Sequence, residues 1–65
     1  MPDYHVEADR YRQRAAEIRN QAEQFSSPAN RDIMRRIADD YENIAGTLDD
    51  IAQTLGLMNQ LEQQI

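Results

Sequence analysis

The sequence contains no cysteine and no tryptophan, all seven of its basic residues are arginines, and it has only two glycines and two prolines in 65 residues. Without cysteine, neither a disulfide framework nor a thiolate metal site can stabilise the fold. A chain of this length forms one small domain with a limited core, so self-association is the expected source of further stability. The absence of an apolar run near the N-terminus argues against a secretory signal or a membrane span, which predicts a cytoplasmic protein with no membrane partner.

Few residues could carry catalytic or cofactor chemistry. His5 is the only histidine, and its relation to Asp9, one turn later, fits a helix-end contact better than a metal or general-base arrangement. A zinc site needs three or four convergent ligands with recognisable spacing, and the sequence has no phosphate-binding loop, nucleophile elbow or reactive lysine. We therefore predict a protein that is not an enzyme and that binds no metal or cofactor.

The first part of the chain has a heptad pattern, in which apolar residues are separated alternately by four and three positions. This pattern predicts an α-helix from about residue 3 to about residue 25. Large and small side chains alternate along the apolar face, so a neighbouring helix could approach closely. The residues of this face are Tyr4, Ala8, Tyr11, Ala15, Ile18, Ala22 and Phe25.

A turn is predicted over residues 26–28, where the sequence reads Ser-Ser-Pro. Ser27 is placed to cap a second helix, and Pro28 fits its first position, where the missing N–H costs nothing. So short a connection predicts two antiparallel neighbouring helices. The fold class is therefore all-α, an antiparallel helical hairpin whose second helix runs over about residues 28–63.

The second helix has its own heptad pattern, formed by Ile37, Tyr41, Ile44, Leu48, Ile51, Leu55 and Met58, with Ala38, Ala45 and Ala52 on the adjoining position. Gly46 could instead end a helix, and Thr47 with Asp50 resembles a weak capping pair for a third one. That alternative is a three-helix bundle with a break near Gly46. The heptad phase continues through Gly46 without a slip, so one long helix is the preferred prediction.

The two predicted helices differ in length. At 1.5 Å per residue, the first covers about 35 Å and the second about 57 Å, so the end of the second helix has no partner within the hairpin. An apolar surface of this size predicts a homodimer in which two hairpins form a four-helix bundle. The residues predicted to mediate self-association are Ile44, Leu48, Ile51, Leu55, Met58 and Leu61.

Charge is distributed unevenly along a chain whose net charge is −5. Every arginine lies within residues 1–36, whereas residues 37–65 contain acids and no base, so pairing between antiparallel helices is expected. The arginines also form a candidate phosphate or partner face, which comprises Arg10, Arg12, Arg14, Arg31, Arg35 and Arg36. The preferred function is a small interaction protein that also binds a protein partner. The alternative is a nucleic-acid-binding hairpin dimer, which the net negative charge disfavours.

Residues 11–45 also carry a recognisable pattern, Tyr-x-x-Arg-Ala-x-x-x-Arg, then Ser-Pro and Arg, then Ile-Ala-x-x-Tyr-Glu-x-Ile-Ala. It falls on Tyr11, Arg14, Ala15, Arg19, Pro28, Arg31, Ile37, Ala38, Tyr41, Glu42, Ile44 and Ala45. In these residues the chain resembles a group of short, uncharacterised bacterial proteins that are common in alphaproteobacteria. The resemblance implies a helical hairpin and carries over no catalytic or binding residue.

Overall fold

The computed structural model describes residues 3–64 and contains two α-helices joined by a short turn. Helix α1 spans Tyr4–Ala22 and helix α2 spans Pro28–Gln63. The helices pack side by side in opposite directions, and residues 3–64 include no strand. The predicted all-α fold with two helices is therefore confirmed.

Both helices begin at a residue whose side chain caps exposed backbone N–H groups. The Asp3 carboxylate accepts hydrogen bonds from the backbone N–H groups of His5 and Val6. Ser27 has an extended backbone and its hydroxyl accepts from the N–H of Asn30, as the Ser-Pro pair predicts. Each cap satisfies donors that have no partner inside the helix, and it fixes the residue at which the helix begins.

Helix α1 ends at Ala22, three residues before the predicted end near Phe25. The backbone N–H of Gln24 donates to the carbonyl of Gln21, and that of Phe25 donates to the carbonyl of Ala22, so the last turn is tightened. Pro28 holds Ser27 in an extended conformation, and the chain must leave the helix earlier to reverse direction. Phe25 matches the heptad spacing but lies in the turn and is exposed.

Helix α2 passes through Gly46 and Gly56 without a break, so the structure does not adopt the three-helix alternative. Neither glycine has a positive φ angle, and both therefore take the ordinary helical conformation. Thr47, considered as a possible cap, instead donates its hydroxyl to the carbonyl of Asn43 one turn earlier. This bond is typical of a threonine inside a helix.

Small side chains occupy the centre of the contact between the helices. In α1, Ala8, Ala15 and Ala22 are fully buried, and in α2 Ala38 and Ala45 are fully buried. Ile18 is the one larger side chain buried among residues 3–64, and it packs with Ala15 and Ala38. Because alanine adds so little width, the two helix axes can approach closely, but the core that results is small.

The buried side of α2 differs from the predicted one. The residues that face α1 are Met34, Ala38, Tyr41, Ala45, Leu48 and Ala52, all of them buried or half-buried, and we call this set the inner line. Tyr41 stacks at an angle on Tyr11 of α1, with 5.7 Å between ring centroids. Ile37, Ile44 and Ile51 belong to the predicted heptad pattern of the second helix, but they are exposed in the hairpin. The alanines occupy the side nearest α1 because they permit the closest approach.

Candidate self-association surface

The two flanks of α2, on either side of the inner line, have opposite chemistry. Each residue turns the helix by about 100°, so the position after Tyr41 or Leu48 lies on one flank and the position three after lies on the other. The first flank carries Glu42 and Asp49, and the second carries Ile44 and Ile51. One flank of α2 is therefore charged and the other is apolar at these positions.

The charged flank joins the two helices by ion pairs. Asp49 accepts from the Arg12 guanidinium at 2.5 Å and lies 2.8 Å from His5 Nδ1. Farther toward the turn, Arg19 donates to Asp39 at 2.6 Å and also to both carboxylate oxygens of Glu42. His5 thus contacts Asp49 of the opposite helix, whereas the sequence suggested a contact with Asp9. These groups are mostly solvent-exposed, so they fix the register of the helices more than they stabilise them.

The pairing at Asp49 gives the hairpin a predictable response to acid. Hydrogen bonds from Arg12, and then from His5, hold the pKa of Asp49 below its usual value of 3.8. The pairing therefore stabilises the folded state above that value, and this stabilisation is lost as the pH falls through the lowered pKa. We expect the melting temperature to decrease on acidification below about pH 4, and Asp49→Asn to show a smaller decrease.

Circular dichroism melts at a series of pH values measure this response. Asp50→Asn is the matched control, because Asp50 is exposed and makes no ion pair among the described residues. An acid-dependent loss of stability that is equal in Asp49→Asn and in the unchanged protein would show that the pairing at Asp49 contributes nothing.

The structure does not gather the six predicted arginines on one face. Arg12 lies on the charged flank, whereas Arg10 and Arg14 pair with Glu7 and Glu17 of their own helix. The remaining three, Arg31, Arg35 and Arg36, lie near the start of α2, and within residues 3–64 they make no ion pair. From Asp49, the partner of Arg12, to Arg36 the distance along α2 is about 20 Å. Arg19, which makes the most contacts between the helices, was absent from the predicted face.

The apolar flank carries a row of large side chains that Asp40 interrupts between Ile37 and Ile44. We call this row, which consists of Ile33, Ile37, Ile44, Ile51, Leu55 and Met58, the outer ridge; its members are 39% to 54% exposed. Of the residues predicted for self-association, Ile44, Ile51, Leu55 and Met58 belong to it. Leu48 is half-buried against α1, and Leu61 is exposed near the end of α2. Ile33 and Ile37 extend the surface toward the turn, beyond the predicted set.

Two shallow grooves lie on the hairpin surface, and one of them borders the outer ridge. One, of about 240 Å³, is lined by Ile51 and Leu55 of the ridge together with Thr47, Asp50 and Thr54. The other, of about 350 Å³, lies between the helices and is lined by Glu7, Arg10, Tyr11, Arg14 and Tyr41. Near Ile51 and Leu55 the ridge is thus bordered by a groove into which a side chain of another helix could fit.

The last part of α2 is exposed in the hairpin. Every described residue from 53 to 64, a segment that we call the tail, is exposed. Its large apolar members are Leu55, Leu57, Met58 and Leu61. A helix in water is stabilised mainly by burying one apolar face, and within the hairpin the tail leaves its apolar side chains exposed.

Other kinds of site find little support in the described residues. Residues 3–64 contain no group of three His, Asp or Glu side chains that could hold a metal ion, and no buried side-chain polar atom lacks a partner. Neither α1 nor α2 has the length and apolar character required to cross a membrane. The outer ridge and the tail are therefore the surfaces whose exposure most needs an explanation.

Comparisons with known proteins add no assignment. No protein-family model, curated protein or solved structure matches the chain. The resemblance of residues 11–45 to short bacterial hairpin proteins therefore stays a prediction. What the chain does has to be inferred from its own surface, of which the outer ridge is the most distinctive part.

Proposed function

We propose that this protein is a small, non-enzymatic helical interaction protein that self-associates through the outer ridge into a homodimeric four-helix bundle. The observation that carries the proposal is the ridge itself, which continues from Ile33 to Met58 along one side of α2 and is about half exposed in the hairpin. An exposed apolar surface of this length is typical of a protein interface.

The small core of the hairpin supports the same proposal. Six residues are buried among those described, and five of them are alanines. A pair of helices with so little buried apolar surface is marginally stable alone, because each ordered residue loses conformational entropy that burial must offset. A second hairpin placed on the ridge would add a layer of isoleucine and leucine contacts, as in a four-helix bundle.

A second copy of the chain is the occupant that fits the ridge. Ile37, Ile44, Ile51 and Met58 recur every seven residues, the spacing at which two helices pack side chains between each other along their length. Another copy supplies a ridge of the same length and spacing. Arg31 and Arg35, near the start of α2, would stay at the edge of this dimer, where a protein partner with acidic groups could bind.

Binding to nucleic acid remains the alternative function, and no observation in the hairpin favours it. Arg10, Arg12, Arg14 and Arg19 are paired with carboxylates, whereas Arg31, Arg35 and Arg36 lie near the start of α2. A phosphate backbone is bound by a continuous basic surface. The chain also carries a net charge of −5, which repels a polyanion.

Light scattering after size exclusion, run over a concentration series, tests self-association. We expect a mass of two chains at micromolar concentration and a shift toward one chain on dilution, because mass action governs a dimer. A mass of one chain at all concentrations would contradict the proposal.

Asp40 offers a variant that should strengthen the dimer. It lies on the line of the ridge, between Ile37 and Ile44, and interrupts the apolar row. Replacing it with leucine removes a charge from the interface and adds apolar area, so we expect Asp40→Leu to tighten association by roughly tenfold. Asp32→Leu is the matched control, because Asp32 is exposed on another side of α2. Equal effects of both substitutions would indicate that added apolar surface promotes non-specific association, and would argue against the ridge as the interface.

A further inference from the structure

We propose that the two copies pair with their α2 helices antiparallel, about a two-fold axis near residues 47 and 48, so that each tail lies on the start of the partner's α2. This inference rests on the proposed function, because it specifies the orientation of the dimer. It assigns the tail, which is exposed in its own hairpin, to a defined surface on the second copy.

The spacing of the ridge supplies the register. If the axis passes between residues 47 and 48, the numbers of two residues that lie opposite each other, one from each copy, add up to 95. Ile37 then lies opposite Met58 of the partner subunit, and Ile44 opposite Ile51 of the partner subunit. Every member of this seven-residue repeat therefore meets another large apolar side chain, and the arrangement is identical from both copies, as a two-fold interface requires.

The lengths of the helices support the same register. Within one hairpin, α1 covers α2 as far as Asp49, where His5 makes the last polar contact. Beyond Ala52, all described residues of α2 are exposed. In the antiparallel dimer, residues 53–64 lie opposite residues 31–42 of the partner subunit, which are backed by the partner's α1. Each tail is thus covered by the body of the other hairpin.

Charge favours this orientation over a parallel one. A parallel pair with the same ridges in contact would place Asp40 against the partner's Asp40 and bring the two Arg36 side chains together. Such like-charge pairs oppose association. In the antiparallel pair, Glu62 lies opposite Ile33 of the partner subunit, one turn from the partner's Arg36. Arg36 has no ion pair among the described residues of its own hairpin, so an acceptor from the second copy suits it.

Spin-label distances within the dimer test the orientation. The chain has no cysteine, so a single introduced cysteine is labelled uniquely. Gln60→Cys places a label on the exposed tail, and Thr47→Cys places one beside the proposed axis. In the antiparallel dimer we expect about 40 Å between the two labels at residue 60 and less than about 25 Å between those at residue 47.

The possible outcomes distinguish a wrong orientation from the absence of self-association. Short distances at both positions would mean a parallel dimer, which overturns this inference and leaves the proposed function intact. A long distance at residue 47 in a species of dimeric mass would overturn the register. A mass of one chain with no coupling between labels would overturn the inference and the proposed function together. The mass of each labelled variant is compared with that of the unchanged protein, so that a disturbed interface is recognised.

Discussion

Replacing Ile51 with aspartate is expected to convert the dimer into monomers. Ile51 lies in the middle of the outer ridge and is 39% exposed in the hairpin, so self-association would bury the rest of its side chain. Aspartate would lose that apolar contact and place a carboxylate in the interface without a partner. The combined cost at each site is more than about 3 kcal/mol, and the dimer contains the site twice. We therefore expect the dissociation constant of the dimer to increase more than 100-fold.

Light scattering over a concentration series, with circular dichroism on the same samples, measures this change. Because Ile51 is not part of the buried contact between α1 and α2, any loss of helix content should follow from the loss of the dimer and should be reduced at higher protein concentration. Leu55→Asp, on the same ridge, should behave in the same way.

Val6→Asp is the matched control for the ridge. Val6 is an apolar residue of α1 with 47% of its surface exposed, and it lies outside the heptad face that contacts α2. Its replacement introduces the same charge at a similar exposure and should leave the mass of two chains unchanged. If the Ile51→Asp variant remained a dimer, the ridge would not be the interface. The same would follow if Val6→Asp dissociated the dimer as strongly as Ile51→Asp does.

Replacing Ala15 with leucine is expected to destabilise the hairpin itself. Ala15 is fully buried against α2, where it packs with Ile18 and Ala38. Leucine has nearly the same helix propensity as alanine, so the effect reports the space between the helices and not helix formation. The larger side chain would force the helices apart at the centre of their contact. A cost of about 1–3 kcal/mol is typical of such overpacking and is a large share of the stability of so small a fold.

Thermal unfolding followed by circular dichroism measures this cost. Ala16→Leu is the matched control, because Ala16 is the next residue of α1 and is exposed. We expect Ala15→Leu to lower the melting temperature by about 10 °C or more and Ala16→Leu to leave it nearly unchanged. Equal melting temperatures for the two variants would mean that the alanine face of α1 is not the contact surface.

The outcome at the turn shows what local sequence signals determine. Ser27 and Pro28 act through their own backbone conformation and through one hydrogen bond to Asn30, so the start of α2 follows from a few neighbouring residues. The end of α1 was predicted less well. Phe25 continues the spacing of the heptad pattern, but the extended conformation before Pro28 ends the helix sooner. Periodicity records which residues could share a face, and it does not record where the backbone must turn.

The residues predicted for self-association differ in their exposure within the hairpin. Ile44, Ile51, Leu55 and Met58 are exposed, whereas Leu48 is used mainly within the hairpin. Cross-helix ion pairs were expected, and Arg12 forms one with Asp49, but the contacts of Arg19 with Asp39 and Glu42 depend on a register that spacing does not specify. Side chains that are far apart in the chain meet only after the helices have docked.

The sequence by itself determined that this protein consists of two helices of unequal length joined by a Ser-Pro turn, because propensity, capping and heptad spacing act over a few residues. Only the tertiary structure decided which side of α2 faces α1. The apolar stripe of α2 covers three adjoining heptad positions, and a single neighbouring helix can cover about two of them. The helices pack along the alanines because these allow the closest approach, and this choice leaves the isoleucines of the outer ridge exposed.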